Sequence, residues 1–543
     1  MGRAYFRELK YSNQCELVFP LKITNDKSET IIEQEIRSVR QRTDNIHSLL
    51  EHTVNKIKKI LEQTQNATIE INISLTQNGN DIPGNTPCAT VISTYKDVVF
   101  TICKQTFKLI MNAPLVQSAT LPVILYINYP VQPIRFKTLN AEKDLSEFSW
   151  YTSSDKLTWT KVGTTYKYTP TANDLDKFLK FQCIAKNCSA EGPVFEIISD
   201  MPIEEMGALP KCPFEKRHEH TQTRLSGKQI RVVSYNTLSN RYSETNSQFP
   251  YCSPQALSID YRKQLILKEL IGYNADIMCL QEVDHMLYLN YFKPKLAKSF
   301  KSIFHKKGNR ISEGLACFYN SNRFKLLESK QLVFSAEIRS NVLFRQKWNL
   351  IRQSDVIKDC FVKQPTSLQV TILKSKELNE IIIVANTHLY YHSEANDIRL
   401  LQASIATDYL KHVFNRYKRS SKGMRISVIF CGDFNSVPTS AVFNFFSRGV
   451  VQHTFEIDEE TLIRNICLNH PFRFGSACGT PDYTNYTGDF KGCLDYIFYD
   501  ENSFKVAGCI PFLEETILSE KTALPNEVFP SDHIALVANL EFK

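Results

Sequence analysis

The pattern of apolar and polar positions divides the chain into two parts. Up to about residue 205, short apolar segments such as TFKLIMN and PVILYINY alternate with polar turns, which is typical of β-strands. One longer stretch, residues 33–63, predicts a helix. From residue 230 onward, apolar runs such as IRVVSYN, IIIVANTHL and ISVIFCGDF alternate with amphipathic segments such as DYRKQLILKELIGYN. These runs predict buried strands that are covered by helices.

The two parts predict three regions. Residues 1–205 are expected to form a β-rich, sandwich-like accessory domain with one long helix, because Trp150, Leu179 and Cys183 follow the pattern of an immunoglobulin-type core. Residues 206–229 are polar, basic and contain prolines, which indicates a linker. Residues 230–543 are expected to form an α/β domain, and the catalytic chemistry should lie there, since the first part carries no catalytic cluster.

Composition is that of an ordinary globular protein of more than one domain. The chain has 543 residues, of which 43% are hydrophobic and 22% charged, and this length exceeds what one core usually supports. A net charge of +8 permits an anionic substrate without demanding one. No apolar stretch reaches the roughly 20 residues that span a bilayer, and the N-terminus lacks the apolar core of a secretory signal. A soluble, non-secreted protein without a membrane partner is expected.

Two further features concern the cellular compartment. The 15 cysteines lack the spacing of a zinc site, so reduced and mostly buried thiols are expected. The first residues, MGRAYFRELKYSNQ, leave a mitochondrial transit peptide open: Arg3, Arg7 and Lys10 favour one, whereas Glu8 and the short length do not.

Polar residues recur where the apolar runs of the last region begin or end. The set contains only Asn, Asp, Glu and His: Asn236, Glu282, Asn386, His388, Asp433, Asn435, Asp495, Asp532 and His533. Each residue has an ordinary alternative, because Asp and Asn favour turns and a single histidine is more often part of a hydrogen-bonded core. The recurrence of the pattern at six strands indicates one polar site that is assembled between two sheets.

The composition of this set suggests metal-assisted hydrolysis. Glu282 and Asp532 offer hard oxygen ligands and no thiolate accompanies them, which favours Mg²⁺, or Mn²⁺, over Zn²⁺. A divalent ion that is held by few carboxylates keeps positions for water and for phosphate oxygens. Such a site suits the hydrolysis of phosphodiesters.

The remaining residues can supply the proton transfers and hydrogen bonds. His533 is the candidate general base, and Asp495 is the candidate that orients its ring. Asp433 is expected to hold the attacking water. Asn236 and Asn435 are expected to donate hydrogen bonds to the phosphoryl oxygens.

Six motifs in this region resemble those of a known family. SYN, CLQEVD, NTHL, CGDFNS, LDYIF and PSDHIAL, in this order, are similar to the exonuclease/endonuclease/phosphatase superfamily. The resemblance covers about residues 229–543 and implies an α/β fold, a two-sheet β-sandwich flanked by helices. The segment TNYTGDFKGCLDYIFYD further resembles the branch of this superfamily that contains the poly(A)-removing deadenylases.

This resemblance implies an activity and several residue roles. It implies a Mg²⁺-dependent 3′-to-5′ exoribonuclease of the mitochondrial matrix that degrades 2′,5′-linked oligoadenylates and trims poly(A) of RNA, releasing AMP. Glu282 becomes the metal ligand with Asp532 near the ion, and His388 joins the phosphate contacts. Phe490 occupies the position that stacks on adenine, and Asn386 is grouped with it as substrate-binding.

Three other functions remain open at this point. One is a general poly(A) deadenylase of the same branch without 2′,5′ activity. For the location of the protein, the cytoplasm is the alternative to the mitochondrial matrix. A second is a DNA-repair endonuclease or lipid phosphatase, but no DNA or membrane partner is expected, since neither a basic surface block nor a membrane-docking patch is visible. The third is a non-catalytic RNA-binding protein, which the presence of Glu282, Asp433, Asn435 and His533 disfavours.

Overall fold

The computed structural model describes residues 2–9, 12–24, 30–63, 70–243, 248–308, 311–456 and 462–543. The chain divides into two compact units, residues 1–207 and 208–543. Among the described residues, no helix is both long enough and apolar enough to cross a membrane. All 15 cysteines are free thiols and most are buried, as expected from their spacing.

The first unit is built mainly from strands. Its strands are β1 (Gly2–Leu9), β2 (Gln14–Thr24), β3 (Thr30–Gln41), β4 (Ile73–Gln77), β5 (Asn80–Asp81), β6 (Val98–Ile102), β7 (Gln105–Met111), β8 (Leu115–Thr120), β9 (Leu125–Tyr126), β10 (Ile134–Leu139), β11 (Glu147–Ser153), β12 (Thr160–Gly163), β13 (Phe178–Lys186), β14 (Glu191–Ile198) and β15 (Ile203–Glu204). Its helices are α1 (Ile46–Gln63) and α2 (Cys88–Thr94).

These strands form two hydrophobic cores. A sheet with the order β3-β2-β1-β7-β6-β4-β5 packs against α1 and α2. A second sheet, β12-β11-β13-β14, covers a separate core in which Trp150 is fully buried and its ring lies 4.8 Å from that of Phe181. Leu179 and Cys183 of β13 also belong to this core. The prediction of a β-rich first part is therefore confirmed.

The helix predicted over residues 33–63 is wrong in its first third. Residues 30–41 form strand β3, which pairs antiparallel with β2, and the helix begins only at Ile46. Around the strand's centre, Ile36 and Ser38 are buried whereas Glu35 and Arg37 are exposed. This alternation with a period of two is that of a half-buried strand.

The second unit contains the elements that carry the predicted site. Its strands are β16 (Gln229–Asn236), β17 (Ile277–Asp284), β18 (Phe300–Lys306), β19 (Glu313–Asn320), β20 (Phe324–Val333), β21 (Ser367–Ser375), β22 (Glu380–His388), β23 (Arg425–Asp433), β24 (Val450–Glu456), β25 (Leu462–Asn469), β26 (Phe474–Ser476), β27 (Asn485–Tyr486), β28 (Lys491–Gly492), β29 (Asp495–Asp500), β30 (Phe504–Cys509) and β31 (Leu536–Phe542). Its helices are α3 (Glu215–His218), α4 (Asn240–Ser243), α5 (Pro254–Leu257), α6 (Ile259–Gly272), α7 (His285–Leu287), α8 (Lys293–Leu296), α9 (Phe334–Glu337), α10 (Arg345–Ile351), α11 (Asp355–Lys363), α12 (Asn396–Ser420), α13 (Ala441–Arg448) and α14 (Glu515–Leu518).

Two six-stranded sheets face each other in this unit. Their orders are β18-β19-β17-β16-β31-β30 and β20-β21-β22-β23-β29-β26. Along β23, Ile429 and Cys431 enter the core between the sheets, whereas Val428 and Phe430 pack outward in the core that includes α12. Helix α6 covers the outer face of the other sheet. The sequence-based prediction of a two-sheet β-sandwich flanked by helices is confirmed.

Part of the segment predicted as a linker is packed against the second unit. Arg217 in α3 is buried, and its guanidinium donates to the carbonyl oxygens of Pro511 (3.0 Å) and Ala535 (2.9 Å) and to the hydroxyl of Tyr273 (2.8 Å). A buried guanidinium is stable only with such partners. The second compact unit accordingly begins at residue 208, before strand β16.

Candidate active site

The ends of three neighbouring strands bring the central residues of the site together. In the pairing of β22 with β23, His388 lies opposite Asp433, and in the pairing of β23 with β29, Asp433 lies opposite Asp495. Strands β22 and β23 are parallel, so their carboxyl ends meet at one edge of the sheet. Sheet register therefore assembles residues that are far apart in the sequence.

His533 is held in one orientation by Asp495. Its Nδ1 lies 2.8 Å from Asp495 Oδ2, and its Nε2 lies 3.7 Å from Asp433 Oδ2. Thr484 steadies the arrangement, because its hydroxyl donates to Asp495 Oδ2 over 2.6 Å and accepts the backbone N–H of Asp495 over 3.0 Å. The ring thus presents Nε2 to the remaining carboxylate, as a general base requires.

Asn236 connects the two sheets through two carboxylates. Its side-chain amide donates to Glu282 Oε1 over 3.2 Å and to Asp433 Oδ2 over 3.0 Å. The other oxygen of Glu282 accepts the backbone N–H of Ser239 over 2.8 Å. Both amide protons of Asn236 have carboxylate partners, so the amide fixes the two acids in place, a role the sequence did not predict.

Two of the site residues adopt backbone conformations that side chains usually avoid. Glu282 has φ +55° and lies at an irregularity in the pairing of β17 with β19. Asn435 has φ +49°, and its backbone N–H donates to Asp433 Oδ1 over 2.9 Å. Its side-chain amide donates to Leu389 O over 3.1 Å. Such conformations are costly, and they concentrate at functional sites.

His388 has a cationic neighbour that the sequence did not reveal. Its Nε2 lies 3.5 Å from Asp433 Oδ2, and its Nδ1 lies 3.3 Å from Nζ of Lys307. The same ammonium lies 3.7 Å from Glu313 Oε1. Lys307 and Glu313 follow and begin strands, as the predicted residues do. A lysine in a chain with many lysines carries no pattern of its own, however, and so it was missed.

The pKa values show that negative charge is crowded into the centre. Burial, with the charges of Glu313 and Asp532, raises the pKa of Glu282 to about 8. Burial and the charge of Asp495 raise the pKa of Asp433 to about 6. Burial opposes a charged ring at His533, but the carboxylates around it raise its pKa well above the ordinary value. A divalent cation beside these carboxylates would offset their charge and leave Nε2 free to accept a proton.

His388 has the opposite tendency. Burial, together with the charges of Lys307 and His533, lowers the pKa of His388 well below its ordinary value. The ring is therefore neutral at physiological pH. A neutral imidazole beside a lysine can accept a hydrogen bond at Nδ1 and donate one from Nε2.

A cavity of about 590 Å³ opens above these groups. Seven of the predicted residues line it: Glu282, His388, Asp433, Asn435, Phe490, Asp532 and His533. Asn236 and Asp495 stand behind the lining and hold it through the bonds given above. The ring of Phe490 is 41% exposed. A cavity of this volume is of the size that binds small ligands.

Asn386 does not belong to the site, and its prediction as a substrate-binding residue is wrong. Its side chain is fully buried between the sheets, where it donates to Leu280 O (3.1 Å) and accepts from the amide of Gln281 (2.8 Å). Asn386 precedes His388 by two positions on β22, so their side chains share a face, but Asn386 lies deeper in the sandwich. It is a structural amide.

Arg262 of α6 holds two loops of the site together. It is fully buried, and its guanidinium donates to the carbonyl oxygens of Thr237 (3.2 Å), Leu238 (2.9 Å) and Pro530 (3.1 Å) and to the hydroxyl of Ser243 (2.9 Å). The first loop follows Asn236, and the second precedes Asp532. A helical arginine in an amphipathic pattern gives no sign of this role in the sequence.

The donor set of this centre fits a divalent cation. Glu282, Asp433 and Asp532 line one cavity and offer hard carboxylate oxygens, and a cation stabilises buried carboxylates such as those of Glu282 and Asp433. Within the part of the chain that the structure describes, Asp495 Oδ1 is buried without a hydrogen-bond partner. Ligand atoms of Asp433, Asp495 and His533 lie within 4.8 Å of one another, so these three residues are an alternative ligand group.

Comparison with known proteins identifies the family. A profile of the endonuclease/exonuclease/phosphatase family matches residues 233–533, more than half of the chain. The chain belongs to this family. The matched residues include every predicted site residue and the strands of both six-stranded sheets, apart from the first residues of β16 and the whole of β31. The resemblance inferred from the motifs is thereby confirmed.

Named relatives are a phosphodiesterase and an exoribonuclease. 2′,5′-Phosphodiesterase 12 of Bos taurus is 38% identical over 397 residues, which are 71% of this chain and 63% of the bovine protein. The Mus musculus protein of the same name is 34% identical over 466 residues, 80% of this chain and 75% of that protein. The Ccr4 3′-5′-exoribonuclease subunit of the CCR4-Not complex of Schizosaccharomyces pombe is 32% identical over 344 residues, 58% of this chain and 49% of that protein.

Family membership makes the chain an enzyme of a family that contains endonucleases, exonucleases and phosphatases. It spans less than two thirds of the bovine relative and about half of the Schizosaccharomyces relative. Its particular substrates are the subject of the proposal that follows.

Proposed function

We propose that the protein is a Mg²⁺-dependent 3′-to-5′ exoribonuclease that cleaves 2′,5′-linked oligoadenylates and shortens poly(A), releasing AMP. The observation that carries this proposal is the pair His533–Asp495, which faces Asp433 at the floor of a cavity with an exposed aromatic ring at Phe490. A base, an acid that orients it and a stacking surface are the parts that nucleotide phosphodiester hydrolysis needs.

Each residue of the site has a separate proposed role in the hydrolysis. Water that is hydrogen-bonded to Asp433 gives a proton to Nε2 of His533 as its oxygen forms a bond to phosphorus. Asp495 accepts the Nδ1–H and stabilises the charged ring. The phosphorus–oxygen bond on the far side breaks, the ribose oxygen of the shortened chain keeps the electron pair and takes up a proton from solvent, and AMP leaves with the phosphate. Asn435 and neutral His388 line the cavity, and their proposed role is to donate hydrogen bonds to the phosphoryl oxygens.

Glu282 is the proposed ligand of the divalent cation, with Asp532 beside it. We favour this pair over the group Asp433, Asp495 and His533, because Nδ1 of His533 and Oδ2 of Asp495 are already bonded to each other. When bound, Mg²⁺ or Mn²⁺ would neutralise the crowded carboxylates and offset charge that develops on the phosphoryl group.

Adenine is proposed as the base from the family resemblance, and Phe490 offers a ring on which it can stack. Phe490 lies at the tip of the β27–β28 hairpin, whose backbone is held by the N–H of Thr487, which donates to Phe490 O over 2.7 Å. An exposed ring at a cavity mouth can stack on a nucleobase. The similarity to 2′,5′-phosphodiesterase 12 supports the 2′,5′ linkage as substrate.

A general poly(A) deadenylase without 2′,5′ activity is the second candidate. The similarity to a Ccr4 3′-5′-exoribonuclease favours it. RNA is the partner in both cases.

The first unit is proposed to be an accessory domain. The mitochondrial matrix, with the cytoplasm as alternative, is proposed from the family resemblance alone, and fractionation of cells that express the tagged protein tests it.

A time course with purified protein distinguishes the candidates. Matched 2′,5′- and 3′,5′-linked oligoadenylates are incubated with Mg²⁺, and the products are separated by chromatography, with His533→Ala in parallel. Stepwise release of AMP from both substrates by the unaltered protein is expected. Release from the 3′,5′-linked substrate alone would support the general deadenylase. Cleavage of neither, or equal cleavage by the variant, would refute both.

A further inference from the structure

A second exposed aromatic residue lines the same cavity as Phe490. Tyr391 is 66% exposed and lies outside the set of predicted site residues. It lies in the loop that follows β22, three residues after His388. A single exposed aromatic residue is common on protein surfaces. The hydrogen bonds of the loop around Tyr391 therefore decide whether this ring is held at the cavity.

Helix α12 supplies these hydrogen bonds and holds the loop rigidly. The buried guanidinium of Arg399 donates to the carbonyl oxygens of Tyr390 (3.0 Å), His392 and Ser393 (2.9 Å). Gln402, also buried, accepts the backbone N–H of Tyr390 over 3.1 Å. Residues on both sides of Tyr391 are thus fixed by side chains from the helix, whereas the ring of Tyr391 itself remains exposed.

The two aromatic loops branch from opposite sides of the reaction centre. Strand β23, which ends in Asp433, lies between β22 and β29. Tyr391 follows β22, and Phe490 precedes β29. Neighbouring strands are about 4.8 Å apart, so the two loops leave the sheet about 10 Å from each other, one on each side of Asp433.

We propose that Tyr391 is a second base-stacking residue, so that the two nucleobases flanking the scissile phosphate are bound separately, one on Phe490 and the other on Tyr391. This inference rests on the proposed function, since it takes the substrate to be a nucleotide chain. It adds that the enzyme recognises a dinucleotide step, not a single terminal nucleotide. Stacking of this kind tolerates every base. Tyr391 therefore increases the affinity for a substrate with a second base and discriminates little between base sequences.

The test uses three adenylate dimers with the same linkage. One carries both bases, and each of the others lacks the base on one side of the phosphate. Tyr391→Ala is compared with Tyr391→Phe, which keeps the ring, and with Phe490→Ala. The measurement is kcat/KM with Mg²⁺, and KM and kcat are also determined separately, because lost stacking should mainly raise KM.

The expected results differ between variants and substrates. Tyr391→Ala should lower kcat/KM on the complete dimer by about 5- to 150-fold and have no effect on one of the two abasic dimers. Phe490→Ala should leave kcat/KM on the other abasic dimer unchanged. Tyr391→Phe should resemble the unaltered protein on all three.

Several results would overturn the inference while the proposed function stands. One is unchanged kcat/KM for Tyr391→Ala on a complete dimer that the unaltered protein cleaves. Another is an equal loss on all three dimers, which indicates a general effect on the loop. A third is that Tyr391→Ala and Phe490→Ala lose their effects on the same abasic dimer, since both rings then contact one base. Failure of the unaltered protein to cleave the complete dimer would refute the proposed function itself.

Discussion

Nδ1 of His533 lies 2.8 Å from Oδ2 of Asp495, and both side chains are buried. The two residues are 38 positions apart, and they meet because β29 begins with Asp495 beside the loop that carries His533. This contact fixes the tautomer of the ring: Nδ1 carries the proton toward Asp495, and Nε2 faces Asp433.

Removal of the base should abolish most of the turnover. His533→Ala is expected to lower kcat by about 10²–10⁴-fold, because a positioned general base contributes about that much. His412→Ala, at an exposed position on α12, is the matched control and should leave kcat unchanged. Equal kcat values for the two variants in an AMP-release assay would exclude His533 as the base.

Loss of Glu282 should weaken the binding of the metal. Glu282→Gln is expected to raise the Mg²⁺ concentration at half-maximal activity by about 10-fold or more, since even residues that only support metal ligands have effects of this size. Binding of paramagnetic Mn²⁺, followed by electron paramagnetic resonance, gives a readout that does not depend on activity. Glu520→Gln, at an exposed position, is the control. Identical Mn²⁺ titrations for both variants would show that another residue is the metal ligand.

The segment before β16 should be required for the stability of the second unit. Arg217→Ala leaves a hydroxyl and two carbonyl oxygens without their buried donor and is expected to cost about 1–3 kcal/mol in the free energy of unfolding. Urea unfolding measures this loss. Arg224→Ala, at an exposed position nearby, should have little effect.

The same argument applies to truncation. A chain that begins at residue 230 should unfold at a lower urea concentration than one that begins at residue 208, because it lacks Arg217. Equal midpoints for the two chains would show that the segment is a linker after all.

His470 should make stability depend on pH below neutrality. Its Nε2 lies 2.9 Å from Phe445 O, and burial lowers its pKa to about 4. Between about pH 6.5 and pH 4 the unfolded chain binds a proton at this histidine and the folded chain does not. The free energy of unfolding should therefore fall as the pH falls through this range, by up to about 3 kcal/mol from this group.

His470→Gln should remove that part of the dependence. Urea unfolding at pH 7, 6, 5 and 4 is expected to give a shallower decline for the variant than for the unaltered protein. His412→Gln should keep the full slope, because that position is exposed. Parallel curves for His470→Gln and the unaltered protein would show that His470 is already accessible to protons in the folded state.

The strands and the chemistry of the site could be predicted from the sequence because their signals are local. A run such as ISVIFCGDF combines an apolar strand with Asp433 at its end, and the motifs around Glu282 and His533 are short and continuous. The helix predicted over residues 33–63 is partly wrong because local signals were the only basis for it. Strand β3 is stabilised by its pairing with β2, and that contact is not local.

Only the tertiary structure decided which polar side chains share the cavity. Asn386 and His388 both belong to the last residues of β22, but depth in the sandwich makes the first a buried structural amide and the second, at the strand's end, part of the cavity wall. Lys307 contacts His388 and Arg262 donates to Pro530 O across long stretches of the chain, whereas Arg399 donates to the loop just before its own helix. Nothing in the neighbours of these residues predicts these contacts. The sequence by itself determined the fold class and the kind of chemistry, because apolar periodicity and side-chain type are carried by neighbouring residues. The register of β22, β23 and β29 decided the geometry, because it depends on pairings between residues far apart in the chain.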